Sequence, residues 1–143
     1  MASILLFLLH GGVIALLIIA AVQDAKKQLV SNWISIGIFV LALLAMLAGQ
    51  QHDLLGLVPG LIMAAIYLIG FEDHFRGADI KLLAALGLYL GLHSCLLMLF
   101  IAAITALIYE GCRYLVTHEK RTHIPFCTWM GIAGSFILAV QMI

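Results

Sequence analysis

Long apolar segments separated by short polar ones run through the whole chain. A helix that crosses a bilayer needs about 20 mostly apolar residues, within a range of about 17–25. Four segments of this kind are clear, at residues 3–22, 33–49, 54–71 and 124–143. His10 is the one interruption in the first of them, and Pro59 and Pro125 fall near helix starts, where a missing N–H is tolerated. The pattern therefore predicts at least four membrane-spanning helices.

The apolar stretch 82–108 is long for one span and short for two. Gly91 and the following His93-Ser94 pair are its natural break. Two helices over 78–92 and 95–110 raise the total to six. All seven Lys and Arg residues then fall in alternate loops, as the positive-inside rule requires. We therefore predict an all-α, polytopic integral membrane helix bundle of six transmembrane helices, with both termini outside and three cytoplasmic loops.

The composition agrees with a membrane protein. Hydrophobic residues make up 65% and charged residues 10%, against about 45–50% and 25% in globular proteins. A chain of 143 residues cannot bury so much apolar surface in one water-surrounded core, which excludes a soluble enzyme. Seven basic residues balance seven acidic ones, so no net charge attracts nucleic acid. We expect residues 1–143 to form a single integral membrane domain.

The three cysteines predict no metal site. They are odd in number and contain no CxxC pair, so neither a zinc site nor a disulfide framework is expected. Cys95, Cys112 and Cys127 are interpreted as small, buried apolar residues.

Two of the acids, Asp24 and Asp79, are candidate catalytic residues. The topology puts Asp24 just past the cytoplasmic end of helix 1 and Asp79 at the cytoplasmic start of helix 4, at one depth on one side. Two carboxylates held close cannot both ionise cheaply, so they share a proton and act as acid and base on a water. That is the chemistry of an aspartic protease. The alternative is that each aspartate only caps or ends a helix at the interface.

The residues around Asp79 favour the first interpretation. Gly77 permits backbone geometry that other residues resist, and Ala78 leaves room beside the carboxylate. Lys81 is expected either to hold the ionised carboxylate or, with more weight, to snorkel to lipid phosphate. His10 is expected to make a neutral interhelical hydrogen bond rather than to relay protons, and Glu110 is expected to end helix 5.

Three segments resemble the signature of the type IV prepilin peptidases, which are membrane aspartyl proteases. Residues 76–91 read RGADIKLLAALGLYLG and match the family segment that contains the second aspartate. Residues 24–33 read DAKKQLVSNW and resemble the segment that begins with the first aspartate. Ile124-Pro125-Phe126-Cys127 is similar to the opening of the family's last helix. The resemblance covers most of the chain, with the segments in the family's order.

The chain also departs from the family pattern. Arg76 and Ala78 stand at the two glycines of Gly-x-Gly-Asp, so that only Gly77 remains. Ser31 replaces the usual proline of Ile-Pro-Asn. No segment matches the methyltransferase-type cytoplasmic region of the longer members. The chain is therefore similar to the short, peptidase-only members found with tight-adherence (Flp-type) pili.

The resemblance implies a function. It implies an endopeptidase of the bacterial inner (plasma) membrane that removes the short basic leader of prepilin-like substrates at the cytoplasmic face. Asp24 and Asp79 would be catalytic, and Gly77, Ala78 and Lys81 would support them. The implied partners are a substrate with an apolar helix after its leader and the lipid bilayer, without nucleic acid, metal or organic cofactor. The alternatives are a non-catalytic pilus-assembly subunit or, less favoured, a small proton-coupled transporter.

Overall fold

The structure, a computed structural model, describes residues 2–27, 30–49, 53–70, 77–118 and 125–143. All regular structure in these ranges is helical. There are six α-helices and a 3₁₀ turn at Leu54–Leu57 between the second and the third. The helices are α1 Ala2–Lys27, α2 Asn32–Leu47, α3 Val58–Leu68, α4 Gly77–Leu90, α5 Leu92–Thr117 and α6 Phe126–Gln141.

The predicted break in the fourth apolar stretch is confirmed. Gly91 has a φ of 78°, a left-handed value that glycine adopts at little cost, and it separates α4 from α5. The prediction that Glu110 ends helix 5 is wrong. No proline lies between Glu110 and Thr117, and the ion pair of Glu110 with Arg113 at 3.6 Å supports the next turn. The helix continues to Thr117 and ends where His118 adopts a left-handed conformation.

The predicted position of Asp24 is also wrong by about a turn. Asp24 lies within α1, which runs to Lys27, rather than beyond its end. Ala25, Lys26 and Lys27 are strong helix formers, so the helix persists after the apolar segment stops. Lys26 and Lys27 in the last turn also offset the negative end of the helix dipole.

Within the described ranges, two helices have the length and hydropathy to cross a membrane. These are α1, from Ile4 to Lys27, and α5, from Leu92 to Thr117. The segments Asn32–Leu47, Leu54–Leu68 and Phe126–Gln141 are shorter apolar helices. Six spans and an outside location for both termini stay predictions.

Helix α4 lies at the centre of the bundle. Eight of its residues are buried, and it packs against α2, α3, α5 and α6. Gly87 meets Gly56 of the 3₁₀ turn backbone to backbone, so a Cβ on either one would overlap the carbonyl oxygen of the other. One turn later, a Cβ at Gly60 would lie 2.8 Å from the Cα of Ala84. Small residues one helical turn apart on each segment thus let the two segments approach closely, as is common between membrane helices.

Candidate active site

Asp24 and Asp79 are the only buried carboxylates in the ranges that the structure describes. Asp24 is 3% exposed and Asp79 is 7% exposed. Asp24 lies in the last turns of α1, and Asp79 lies in the first turn of α4. A buried carboxylate requires hydrogen-bond partners, because water no longer solvates it. The described partners of both residues come from α6.

Thr128 of α6 bonds to Asp24. Helix α6 begins at Phe126, and in its first turn the N–H of Thr128 also donates to the carbonyl oxygen of Pro125 at 3.2 Å. The N–H of Thr128 donates to Asp24 Oδ2 at 3.0 Å, and the hydroxyl Oγ1 of Thr128 lies 3.1 Å from the same oxygen. Asp24 therefore accepts hydrogen bonds from the first turn of a helix other than its own.

Cys127 of α6 bonds to Asp79. Its thiol Sγ donates to Asp79 Oδ1 at 2.6 Å, and the side chain of Cys127 is fully buried. Consecutive Cα atoms lie about 3.8 Å apart, so one helical turn places a donor against each aspartate. The structure thus brings Asp24 and Asp79, which are 55 residues apart in sequence, to the same turn of α6.

Glycines on α6 account for its closeness to α1. A Cβ at Gly131 would lie 3.0 Å from the carbonyl oxygen of Leu17 and 3.1 Å from the Cβ of Ala21. A Cβ at Gly134 would lie 3.1 Å from a methyl carbon of Leu17. Gly131 follows Thr128 by one turn, so this close contact lies next to the Thr128–Asp24 hydrogen bond.

Gly77 and Ala78, which were predicted to support Asp79, both lie in the first turn of α4. Gly77 is the first residue of α4, its φ is not positive, and an added Cβ would meet open space. The special backbone geometry expected at Gly77 is therefore not used here, because a right-handed helical residue needs none. Ala78 is half-buried beside Asp79. Arg76 lies outside the described residues.

Lys81 makes a contact that neither expectation named. Its Nζ donates to Asn32 Oδ1 at 3.1 Å, which joins α4 to the start of α2. Gln23, the neighbour of Asp24, accepts a hydrogen bond from the N–H of Ser31 at 3.2 Å. The three segments that carry the family resemblance therefore meet at one end of the bundle.

His10 is remote from this end. Its Nδ1 lies 3.0 Å from the hydroxyl of Tyr89 and 2.8 Å from the carbonyl oxygen of Leu6, so the predicted interhelical hydrogen bond is confirmed. Asp24 comes fourteen positions after His10 on α1, a rise of about 21 Å along the helix. The His10–Tyr89 bond therefore joins α1 to α4 away from the two acids.

Sequence reasoning missed Thr128 and Cys127 as partners of the acids. The sequence predicts Cys127 to be a small buried residue at the start of the last helix, and its pattern assigns no role to Thr128. The sequence did contain a signal for Thr128. Its hydroxyl lies two positions after Phe126, at the start of a helix that begins on the same predicted side of the membrane as both acids. Of the other cysteines, Cys95 is buried as expected, whereas Cys112 is exposed, which corrects that expectation.

The described residues form a helical bundle that holds two buried carboxylates, and two of its helices are long and apolar enough to cross a membrane. The chain belongs to the type IV leader peptidase family, whose model matches residues 12–110, and this confirms the predicted family. Its members are peptidases of the membrane. No curated protein and no solved structure gives a significant match. The matched range includes Asp24 and Asp79 but ends before α6.

Proposed function

We propose that this protein is a membrane-embedded aspartic endopeptidase in which Asp24 and Asp79 form the catalytic pair. The observation that carries the proposal is the first turn of α6, where consecutive residues bond one aspartate each. Two buried carboxylates gathered at one turn are the arrangement that acid–base hydrolysis of a peptide bond requires. Membership of a leader peptidase family supports the same reaction.

The proposed reaction needs one ionised and one protonated carboxyl group. The ionised group takes a proton from a water molecule, whose oxygen attacks the scissile carbonyl carbon. The protonated group donates its proton to the carbonyl oxygen. Collapse of the tetrahedral intermediate returns that proton to a carboxylate, and the leaving amine takes the proton that came from water. The pair ends with the single shared proton with which it began.

The proposed substrate is a prepilin-like protein with a short basic leader and an apolar helix, as in the Flp-type pilus systems. The described basic residues favour cytoplasmic cleavage. Lys26 and Lys27 end α1, Lys81 lies near the start of α4, and Arg113 lies near the end of α5. These ends surround the buried acids, and the positive-inside rule assigns a positively charged end to the cytoplasm. A substrate helix in the bilayer would present its leader at that side.

The test uses the full chain reconstituted in liposomes with a prepilin-like substrate that carries a basic leader. We expect one cleavage, at the junction of leader and apolar helix, identified by mass spectrometry of both products. A matched substrate with neutral residues in place of the leader's Lys and Arg should be cleaved more slowly. Binding of the substrate without any cleavage would contradict the proposal and favour a non-catalytic assembly subunit.

A further inference from the structure

The hydroxyl of Thr128 lies between two acceptors. Its Oγ1 is 3.1 Å from Asp24 Oδ2 and 3.3 Å from the carbonyl oxygen of Ala21 on the same helix, α1. A hydroxyl has one hydrogen to donate and two lone pairs that accept, so it cannot donate fully to both at once. The backbone N–H of Thr128 holds Asp24 Oδ2 independently, at 3.0 Å. Rotation of the hydroxyl therefore changes its partner while the carboxylate stays in place.

We propose that Thr128 is a positioning residue that keeps Asp24 hydrogen-bonded in both of its protonation states. This inference rests on the proposed function. With Asp24 ionised, the Thr128 hydroxyl donates to Oδ2. When Asp24 takes a proton from water onto Oδ2, the new O–H donates to Oγ1, and the hydroxyl hydrogen turns to the Ala21 carbonyl. One proton is gained by Asp24, none is lost by Thr128, and no heavy atom moves.

Because Asp24 is buried, it needs a hydrogen-bond partner from the protein in both protonation states. At 3% exposure, water cannot replace a hydrogen bond that the carboxyl group loses when its charge changes. An unsatisfied buried polar group is destabilising, and the effect is larger for a charged one. A partner that both donates and accepts removes this cost from each half of the reaction. Among side chains of this size, only threonine and serine supply a hydroxyl.

Among the residues that the structure describes, other ionisable groups lie on the helices around this turn. Asp79 on α4 and the Cys127 thiol on α6 bond to each other. Lys26 and Lys27 are exposed at the end of α1, and α2 carries no ionisable side chain. Glu110 and Arg113 of α5 pair with one another. Of the two groups of Thr128 that bond to Asp24, the N–H can only donate, whereas the hydroxyl can both donate and accept.

The experiment compares Thr128→Val, Thr128→Ser and Thr105→Val in the full chain, reconstituted in liposomes with the prepilin-like substrate. Valine matches threonine in shape but lacks the hydroxyl, whereas serine retains it. Thr105 is the control, because its hydroxyl bonds only within α5, to the carbonyl oxygens of Ile101 and Ala102. Thr128→Ala provides a second hydroxyl deletion if the valine variant inserts poorly. The measurements are kcat and KM across the active pH range, and thermal stability.

We expect Thr128→Val to lower kcat by about tenfold to a hundredfold, the effect of one hydrogen bond to a charged group. KM should change little, and the loss should be equal on both sides of the pH optimum, because both protonation states lose a partner. Thr128→Ser should restore most of the activity, and Thr105→Val should behave as wild type.

Three results would overturn the inference: wild-type kcat in Thr128→Val, a loss on one side of the pH optimum only, or a serine variant as impaired as the valine variant. An inactive wild-type protein would instead refute the proposed function itself, so the two failures are distinguishable.

Discussion

Asp24 and Thr128 lie 104 residues apart in the chain, and the N–H of Thr128 donates to the carboxylate of Asp24 at 3.0 Å. The bond caps α6 with an acid from α1. Because of this bond, the position of the Asp24 carboxylate on α1 depends on how α6 packs against α1. Mutations in α6 that leave every acid intact should therefore alter the proposed reaction.

Gly131→Val tests this dependence. Even the first carbon of the valine side chain would lie 3.0 Å from the backbone oxygen of Leu17, so α6 must shift away from α1. We expect the shift to cost about 1–3 kcal/mol of stability and to lower the cleavage rate about tenfold or more, because it moves Thr128 relative to Asp24. The neighbouring Ile132 is exposed, and Ile132→Val is the matched control. Equal cleavage rates in the two variants would show that the α1–α6 contact does not set the geometry of the site.

A second prediction concerns the centre of the bundle. Gly87→Ala places a methyl group on the carbonyl oxygen of Gly56, and two backbones must separate. We expect the free energy of unfolding, measured in detergent, to fall by about 1–3 kcal/mol. Gly11→Ala is the control, since a Cβ there meets nothing within 4 Å and alanine favours a helix by about 1 kcal/mol. Similar stabilities for both variants would contradict the close approach of α4 and the 3₁₀ turn.

The His10–Tyr89 hydrogen bond should be structural only. A double-mutant cycle with His10→Leu and Tyr89→Phe should give a coupling energy of about 0.5–1.5 kcal/mol in stability. Cleavage by the single variants should stay near wild type, since His10 lies about 21 Å along α1 from Asp24. A pH-dependent loss of cleavage in His10→Leu, with stability unchanged, would instead favour the proton relay.

Topology can be tested by cysteine labelling in a Cys112→Ser background. Ser31 precedes α2 at the end of the bundle that holds the acids, whereas Asp53 precedes the 3₁₀ turn, beside Gly91. Both residues are exposed. We expect Ser31→Cys to react only with reagent on the cytoplasmic side and Asp53→Cys only from the outside. Labelling of both from one side would contradict the six-span topology.

Much of the fold was predictable because it depends on local composition. Apolar runs of spanning length predicted the helices, and Gly91 with the nearby polar pair His93-Ser94 predicted the break after α4. Helix ends were less predictable. Asp24 and Glu110 lie inside helices because good helix formers follow the first and an ion pair supports the second, and neither effect appears in a hydropathy pattern.

The candidate site was predictable only in part. Positive-inside topology indicated that Asp24 and Asp79 share a depth, but it carries no information on which helix faces meet. The pairing of α6 with both acids depends on Gly131 fitting against Leu17 and on the cap that Thr128 provides. Such contacts are tertiary, and the sequence shows the small residue without showing its neighbour.

The most direct test of the central claim is the cleavage rate of Asp24→Asn and Asp79→Asn in reconstituted protein that is inserted normally. Asparagine is nearly isosteric and can still accept the hydrogen bonds from α6, but it cannot act as an acid or a base. Asp53→Asn is the matched control, because Asp53 is exposed and only caps the 3₁₀ turn through the N–H of Leu55, a role that asparagine fills equally well.

The account predicts that each single variant of the pair loses nearly all cleavage. The double variant should be scarcely worse, since the two groups act as a unit, and Asp53→Asn should cleave as wild type. Substantial cleavage by Asp24→Asn or Asp79→Asn would contradict the dyad, and loss of the protein from the membrane would show that these carboxylates only hold the helices together.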